Sequence, residues 1–81
     1  MKIKYFAWIK DITKKDYEII DSNHPKDIEE LNKYLVSMYP SLKKHVSKKI
    51  LRYAINMEYY STNQCLEEND EIAVFPPVSG G

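Results

Sequence analysis

With 81 residues, 43% hydrophobic and 30% charged, the chain has the composition of one small folded domain, not of a disordered segment. Twelve Lys and Arg balance twelve Asp and Glu, which removes the overall positive field expected of a nucleic-acid binder. No apolar run is long enough to span a bilayer, no secretory leader is expected, and the single cysteine, Cys65, excludes an internal disulfide and a multi-cysteine zinc site.

Residues 2–10 alternate, with Ile3, Tyr5, Ala7 and Ile9 on one face and Lys2, Lys4, Phe6, Trp8 and Lys10 on the other. That period predicts a first strand rich in β-branched and aromatic residues. Residues 11–16 are polar and read as a hairpin connection. A second strand is expected over 17–21, with Tyr17 and Ile19 on one face.

Asp27 with Glu30 three positions later is a capping-box signature. Ile28, Leu31, Leu35 and Met38 then recur at helical spacing, flanked by Tyr34, and Pro40 stops the helix at Tyr39. Residues 41–49 are basic and read as a solvated connection; a phosphate or partner patch is the functional alternative. A third strand is expected over 50–56, followed by a tight turn at Met57-Glu58 and a short strand at Tyr59-Tyr60. Residues 61–69 form a loop anchored by Leu66, in which Asn69 is expected to take a positive φ. Glu71 to Phe75 is the last strand, stopped by Pro76 and Pro77, which lack the N–H a ladder needs. The order β-β-α-β-β-β predicts an α+β domain, a sheet with one helix packed across one face.

The only two glycines are Gly80 and Gly81, where average usage would supply about six across such a chain. Without a Cβ, Gly80-Gly81 can lie extended in a channel too narrow for other residues, leaving the carboxyl of Gly81 open to attack. The end therefore reads as a reacting group on a threadable tail of Pro76, Pro77, Val78, Ser79, Gly80 and Gly81. The two prolines favour a stiff, extended exit from the sheet, which lowers the entropy lost on threading. An ionised carboxylate is a poor electrophile and needs conversion to an acyl phosphate or adenylate. The sequence has no P-loop and no carboxylate pair placed to hold magnesium, so activation is assigned to a partner, with no metal and no cofactor bound by this chain.

The segments Tyr5-Phe6-Ala7-Trp8-Ile9-Lys10, Ile28-Glu29-Glu30-Leu31 and Ala54-Ile55-Asn56, and above all the block from Asn69 to the closing Phe75-Pro76-Pro77-Val78-Ser79-Gly80-Gly81, resemble the sulfur carrier subunits of molybdopterin synthase. The resemblance covers the whole chain. It implies a ubiquitin-like β-grasp fold with a mixed sheet, residues 1–76 forming the domain and 77–81 a flexible reactive tail. It further implies that a ubiquitin-activating-like adenylyltransferase uses ATP and Mg to adenylate Gly81, and that a sulfur-donating protein supplies the sulfur for a thiocarboxylate. The tail then enters the large subunit of a heterotetramer, two copies of each chain, to turn cyclic pyranopterin monophosphate into the molybdopterin dithiolene of the molybdenum cofactor. The implied role is that of a sulfur-donating subunit, not an enzyme by itself, with catalytic groups on the large subunit. The family commonly has Gly at the position of Asn69 and Arg at that of Lys10; a lysine there lacks the bidentate fork.

Phe75 reads as a partner anchor at the root of the tail, against packing within its own sheet edge, and Phe6 as a second candidate contact. Cys65, beside Glu67 and Glu68, reads as inert, and His24 and His45 lack ligand-spaced neighbours. Tyr5, Tyr17, Tyr34 and Tyr53 are assigned to packing. Alternative functions are a thiamine-pathway sulfur carrier, a modifier ligated to lysines, and an adaptor whose end never reacts. The expected setting is the reducing cytoplasm, with neither membrane nor nucleic acid as partner.

Overall fold

The computed structural model describes residues 1–77. Strand β1, Lys2–Tyr5, buries Ile3 and Tyr5 and turns its lysines outward. The predicted strand continues to Lys10, but the chain leaves the sheet at Ala7 (φ 54°) and forms helix α1, Trp8–Thr13. Ile9, Ile12 and Thr13 fall on one side of that helix, and Ile9 and Thr13 are buried. Ile9 is interior under either reading, so alternation alone could not separate the two. Lys14 closes α1 in the left-handed conformation.

Strand β2, Tyr17–Ile19, pairs antiparallel with β1, placing Ile3 opposite Glu18. The two strands lie next to each other as expected, but α1 occupies much of the connection in place of a polar turn over 11–16, the second strand stops at Ile19, and the side carrying Tyr17 and Ile19 faces outward. Tyr17 and Ile19 are exposed and Glu18 is the half-buried residue between them, so Tyr17 is not a packing residue.

Helix α2, Ile28–Met38, opens on Asp27, whose carboxylate accepts the Glu30 N–H at 2.8 Å. The return bond comes from one residue earlier: the Lys26 N–H donates to Glu30 Oε1 at 3.0 Å. Ile28, Leu31 and Leu35 are buried, whereas Met38, expected on the same stripe, is half exposed in the last turn. The helix ends before Pro40 as predicted, since proline disfavours helical geometry at Tyr39.

The basic segment is not a loop. A 3-10 turn, Pro40–Leu42, runs into helix α3, Lys43–Ser47. Leu42 is fully buried and Val46 packs against the core, which holds this short segment helical where intrinsic propensity would not. The described residues thus carry three α-helices, not one.

Strand β3, Arg52–Ile55, and strand β4, Glu58–Tyr60, are joined by Asn56 and Met57, both at positive φ (50° and 71°). Such a two-residue hairpin matches the right-handed twist of the strands. Strand β5, Glu71–Phe75, has the predicted bounds. Asn69 is not among the positive-φ residues; Asn23 and Asn56 are, with Ala7, Lys14, Lys49 and Met57. The chain meets its left-handed turns without glycine, but not at the expected place.

The sheet has five strands in the order β2-β1-β5-β3-β4. β1 and β5 are parallel and the other pairs antiparallel. β5 is therefore the central strand. Ile3, Ile9, Leu31, Leu35, Leu42, Ile72 and Val74 are completely buried between the sheet and the helices, each worth about 1.5–3 kcal/mol of transfer free energy. The loop after β4 is tied down by buried Leu66, whose N–H donates to the Lys26 carbonyl at 2.8 Å.

Candidate functional site

Because β5 is central, its last residues leave the sheet between β1 and β3. Phe75 lies opposite Arg52 of β3 and points to the face that no helix covers, together with Ala73. The Phe6 N–H donates to the Val74 carbonyl at 3.2 Å, so Phe6 extends β1 beside Phe75. Phe6 is 43% exposed and Phe75 half-buried. Tyr59 of β4 completes the group, 55% exposed, its ring centroid 6.3 Å from that of Phe75. Ala54 and Ala73 pair beneath these rings and keep the floor flat. Three outward aromatic rings at the root of the tail form a surface suited to a partner.

The structure thus brings together the two aromatics singled out from the sequence and adds Tyr59. Alternation in the Tyr59-Tyr60 strand left its outward direction open; the turn at Asn56-Met57 sets it through the register Ala54–Tyr59. Pro76 is half-buried and Pro77 exposed. Val78, Ser79, Gly80 and Gly81 lie outside the described residues.

The other candidates are placed as follows. Lys10 sits on α1, not at a strand end, and its Nζ lies 3.3 Å from an exposed Asp16 carboxylate. Cys65 is exposed and bridges to Asp27 through the backbone. His45 packs at a tilt against Trp8, ring centroids 4.5 Å apart, and His24 Nδ1 lies 2.7 Å from the Pro25 carbonyl oxygen. Among the described residues no three His, Cys, Asp or Glu side chains gather in a way that could hold a metal ion. Among them, too, no helix is long and apolar enough to cross a membrane.

On the covered side of the sheet, one polar cluster escaped the sequence reading. The Glu18 carboxylate accepts hydroxyl donors from Tyr5 (2.6 Å), Tyr39 (2.6 Å) and Tyr34 (2.7 Å). Burial alone would raise the Glu18 pKa, but the three hydrogen bonds and the Lys15 charge outweigh it and hold the carboxyl below its usual value. Burial, and next the bond to Glu18, push the Tyr5 and Tyr34 phenols up. The cluster joins β1, β2 and the end of α2, and so fixes the sheet edge behind the aromatic face.

Residues 3–81 match the ThiS family. The chain is 37% identical to the molybdopterin synthase sulfur carrier subunit of Dictyostelium discoideum, over 99% of this chain and 94% of that protein. It is 34% identical to the protein of the same name from Caenorhabditis elegans, over 100% and 96%. Among solved structures, a putative molybdopterin converting factor, subunit 1, from Pyrococcus furiosus superposes with TM-score 0.79 at 25% identity, over 95% of each chain. Small archaeal modifier protein 1 from Haloferax volcanii superposes with TM-score 0.77 at 24% identity, over 99% of this chain and 97% of that one, a likeness of fold alone. With its five-stranded β-grasp sheet and a full-length match, the chain belongs to the ThiS family, among the molybdopterin synthase sulfur carrier subunits.

Proposed function

We propose that the chain carries sulfur on the carboxyl of Gly81 and delivers it within molybdopterin synthase, in the synthesis of the molybdenum cofactor. The observation that carries this reading is the origin of the tail: it continues the central strand past Phe75, at the edge of the aromatic face. The domain, 1–76, is the handle, and residues 77–81 are the part that threads and reacts.

The chemistry begins with an unreactive carboxylate. An adenylyltransferase partner, with its own ATP and Mg, joins the Gly81 carboxylate to AMP and releases pyrophosphate. The outer sulfur of a donor protein's persulfide attacks the acyl carbon and AMP leaves; a thiol then cleaves the resulting acyl disulfide, releasing the thiocarboxylate and leaving a disulfide with the donor. The thiocarboxylate sulfur, a soft nucleophile, attacks a carbon of the pyranopterin precursor in the large subunit and displaces an oxygen substituent; water then cleaves the acyl–sulfur bond, leaving the sulfur on the pterin and the carboxylate on Gly81. Phe75, Phe6 and Tyr59 would seat the carrier on each partner, while Pro76, Pro77, Val78, Ser79 and Gly80 reach the reacting centre. Two carriers on two large subunits make the heterotetramer, in the cytoplasm.

Intact-mass measurement tests this directly. After incubation with the adenylyltransferase, ATP and a sulfur donor, Gly81 should have exchanged one oxygen for sulfur. Deleting Gly81, or adding one residue after it, should abolish the exchange. An unchanged mass for the full chain, or conjugates to target lysines in its place, would overturn the carrier reading.

A further inference from the structure

Net neutrality conceals a segregation of charge. No Asp or Glu occurs from Leu31 to Met57, while Lys33, Lys43, Lys44, Lys48, Lys49 and Arg52 all do. Among the described residues none of these six cations forms an ion pair. Lys49 and Arg52 border a cavity of about 420 Å³ between α2, α3 and the β3–β4 hairpin. Its lining includes the buried side chains of Leu51 and Tyr53 and the half-buried Val46, with Glu29 as the one lining carboxylate.

Arg52 is held in place. Its Nη1 donates to the Lys49 carbonyl at 3.0 Å and to the Leu51 carbonyl at 3.4 Å. The Nε and Nη2 donors have no acceptor among the described residues. A guanidinium fork with free donors beside a lysine is suited to a carboxylate. The apolar lining beneath it suits a hydrocarbon or aromatic side chain next to that carboxylate. A polyphosphate fits less well, because Glu29 faces the same space and the apolar lining offers it nothing. Tyr59 lines this cavity and also meets Phe75, so the cavity and the aromatic face share one residue of β4.

We propose that this cavity is a second docking pocket, which receives an acidic segment of a partner polypeptide: a carboxylate on Arg52 and Lys49, with the neighbouring apolar side chain over Val46, Leu51 and Tyr53. Its place beside the aromatic face rests on the docking role given above to Phe75 and Phe6; its chemistry stands on the cavity alone.

The probe is a short blocked peptide of glutamates flanking one phenylalanine, titrated into the isotopically labelled full chain and followed by amide chemical shifts. Shifts should concentrate at Val46, Lys49, Arg52 and Tyr53, and binding should weaken as salt rises. Lys49→Glu should weaken it about tenfold. Arg52→Gln should do the same, with amide dispersion reporting whether the fold is kept, and Lys33→Glu, away from the cavity, should change little. Equal binding of a peptide with glutamine for glutamate, shifts elsewhere on the surface, or tighter binding of oligothymidylate at these residues would each overturn the proposal. Phe75→Ala should leave peptide binding intact while weakening the large-subunit complex, so the two readings fail separately.

Discussion

Replacing Glu18 by glutamine tests the tyrosine cluster with nearly no change of shape. The carboxylate accepts three hydroxyls; the amide keeps one acceptor oxygen and turns a donor toward the others. A hydrogen bond to a charged acceptor contributes about 1.5–3 kcal/mol and a neutral one about 0.5–1.5. The exchange therefore removes about 1–1.5 kcal/mol per bond, or about 3–4.5 kcal/mol in all. Glu18 is only partly buried, and solvent screening discounts the loss to about 1.5–2 kcal/mol. For a domain of this size that lowers Tm by about 6–16 °C. The pH dependence has a definite sign. A carboxyl with a depressed folded-state pKa adds stability above its unfolded value, about 4.3, and that stability is lost as pH falls through the folded value. Melting curves by circular dichroism should separate the two proteins at about pH 7 and converge as pH falls below the unfolded-state value of about 4.3. A deficit below about 2 °C at neutral pH, or one undiminished in acid, would refute the assignment of stability to the charge of Glu18.

Phe75→Ala should weaken binding to the large subunit at least about tenfold, measured by calorimetry, because a ring at the centre of an aromatic patch is a hot-spot candidate. Its Tm should fall little, since the side chain lies on the uncovered face. Met57→Gly should raise stability by about 0.5–1 kcal/mol in urea denaturation, because Met57 is 93% exposed at φ 71° and a Cβ is costly there. Asp27→Ala should lower stability by about 0.5–2 kcal/mol in the same assay, through loss of the bond from the Glu30 N–H.

The parts legible in the sequence are those whose reasons are local. β5 stops at two prolines, α2 starts at Asp27 and ends before Pro40, and β3 alternates cleanly. Helices α1 and α3 were not legible, because six and five residues are too few to hold a helix without tertiary support. That support comes from elsewhere in the chain: Trp8 of α1 packs against His45 of α3. Glu18 looks like an exposed strand residue because its three partners lie 13, 16 and 21 positions away. Of the aromatic face, Phe6 and Phe75 were visible through alternation and proximity to the tail. Tyr59 needed the register of a hairpin whose two turn residues are not glycine.

The parallel pairing of β1 with β5 has a mechanical consequence. A lengthwise pull on β5 is borne on both sides, by Lys2 to Tyr5 of β1 paired with Glu71 to Val74 and by Arg52 to Ile55 of β3 paired with Phe75 to Ile72. Bonds loaded along the strand must slide and rupture together, whereas an edge strand pulled sideways would peel away one bond at a time. Under the carrier role proposed above, that anchorage lets the domain be withdrawn from a partner with its sheet intact.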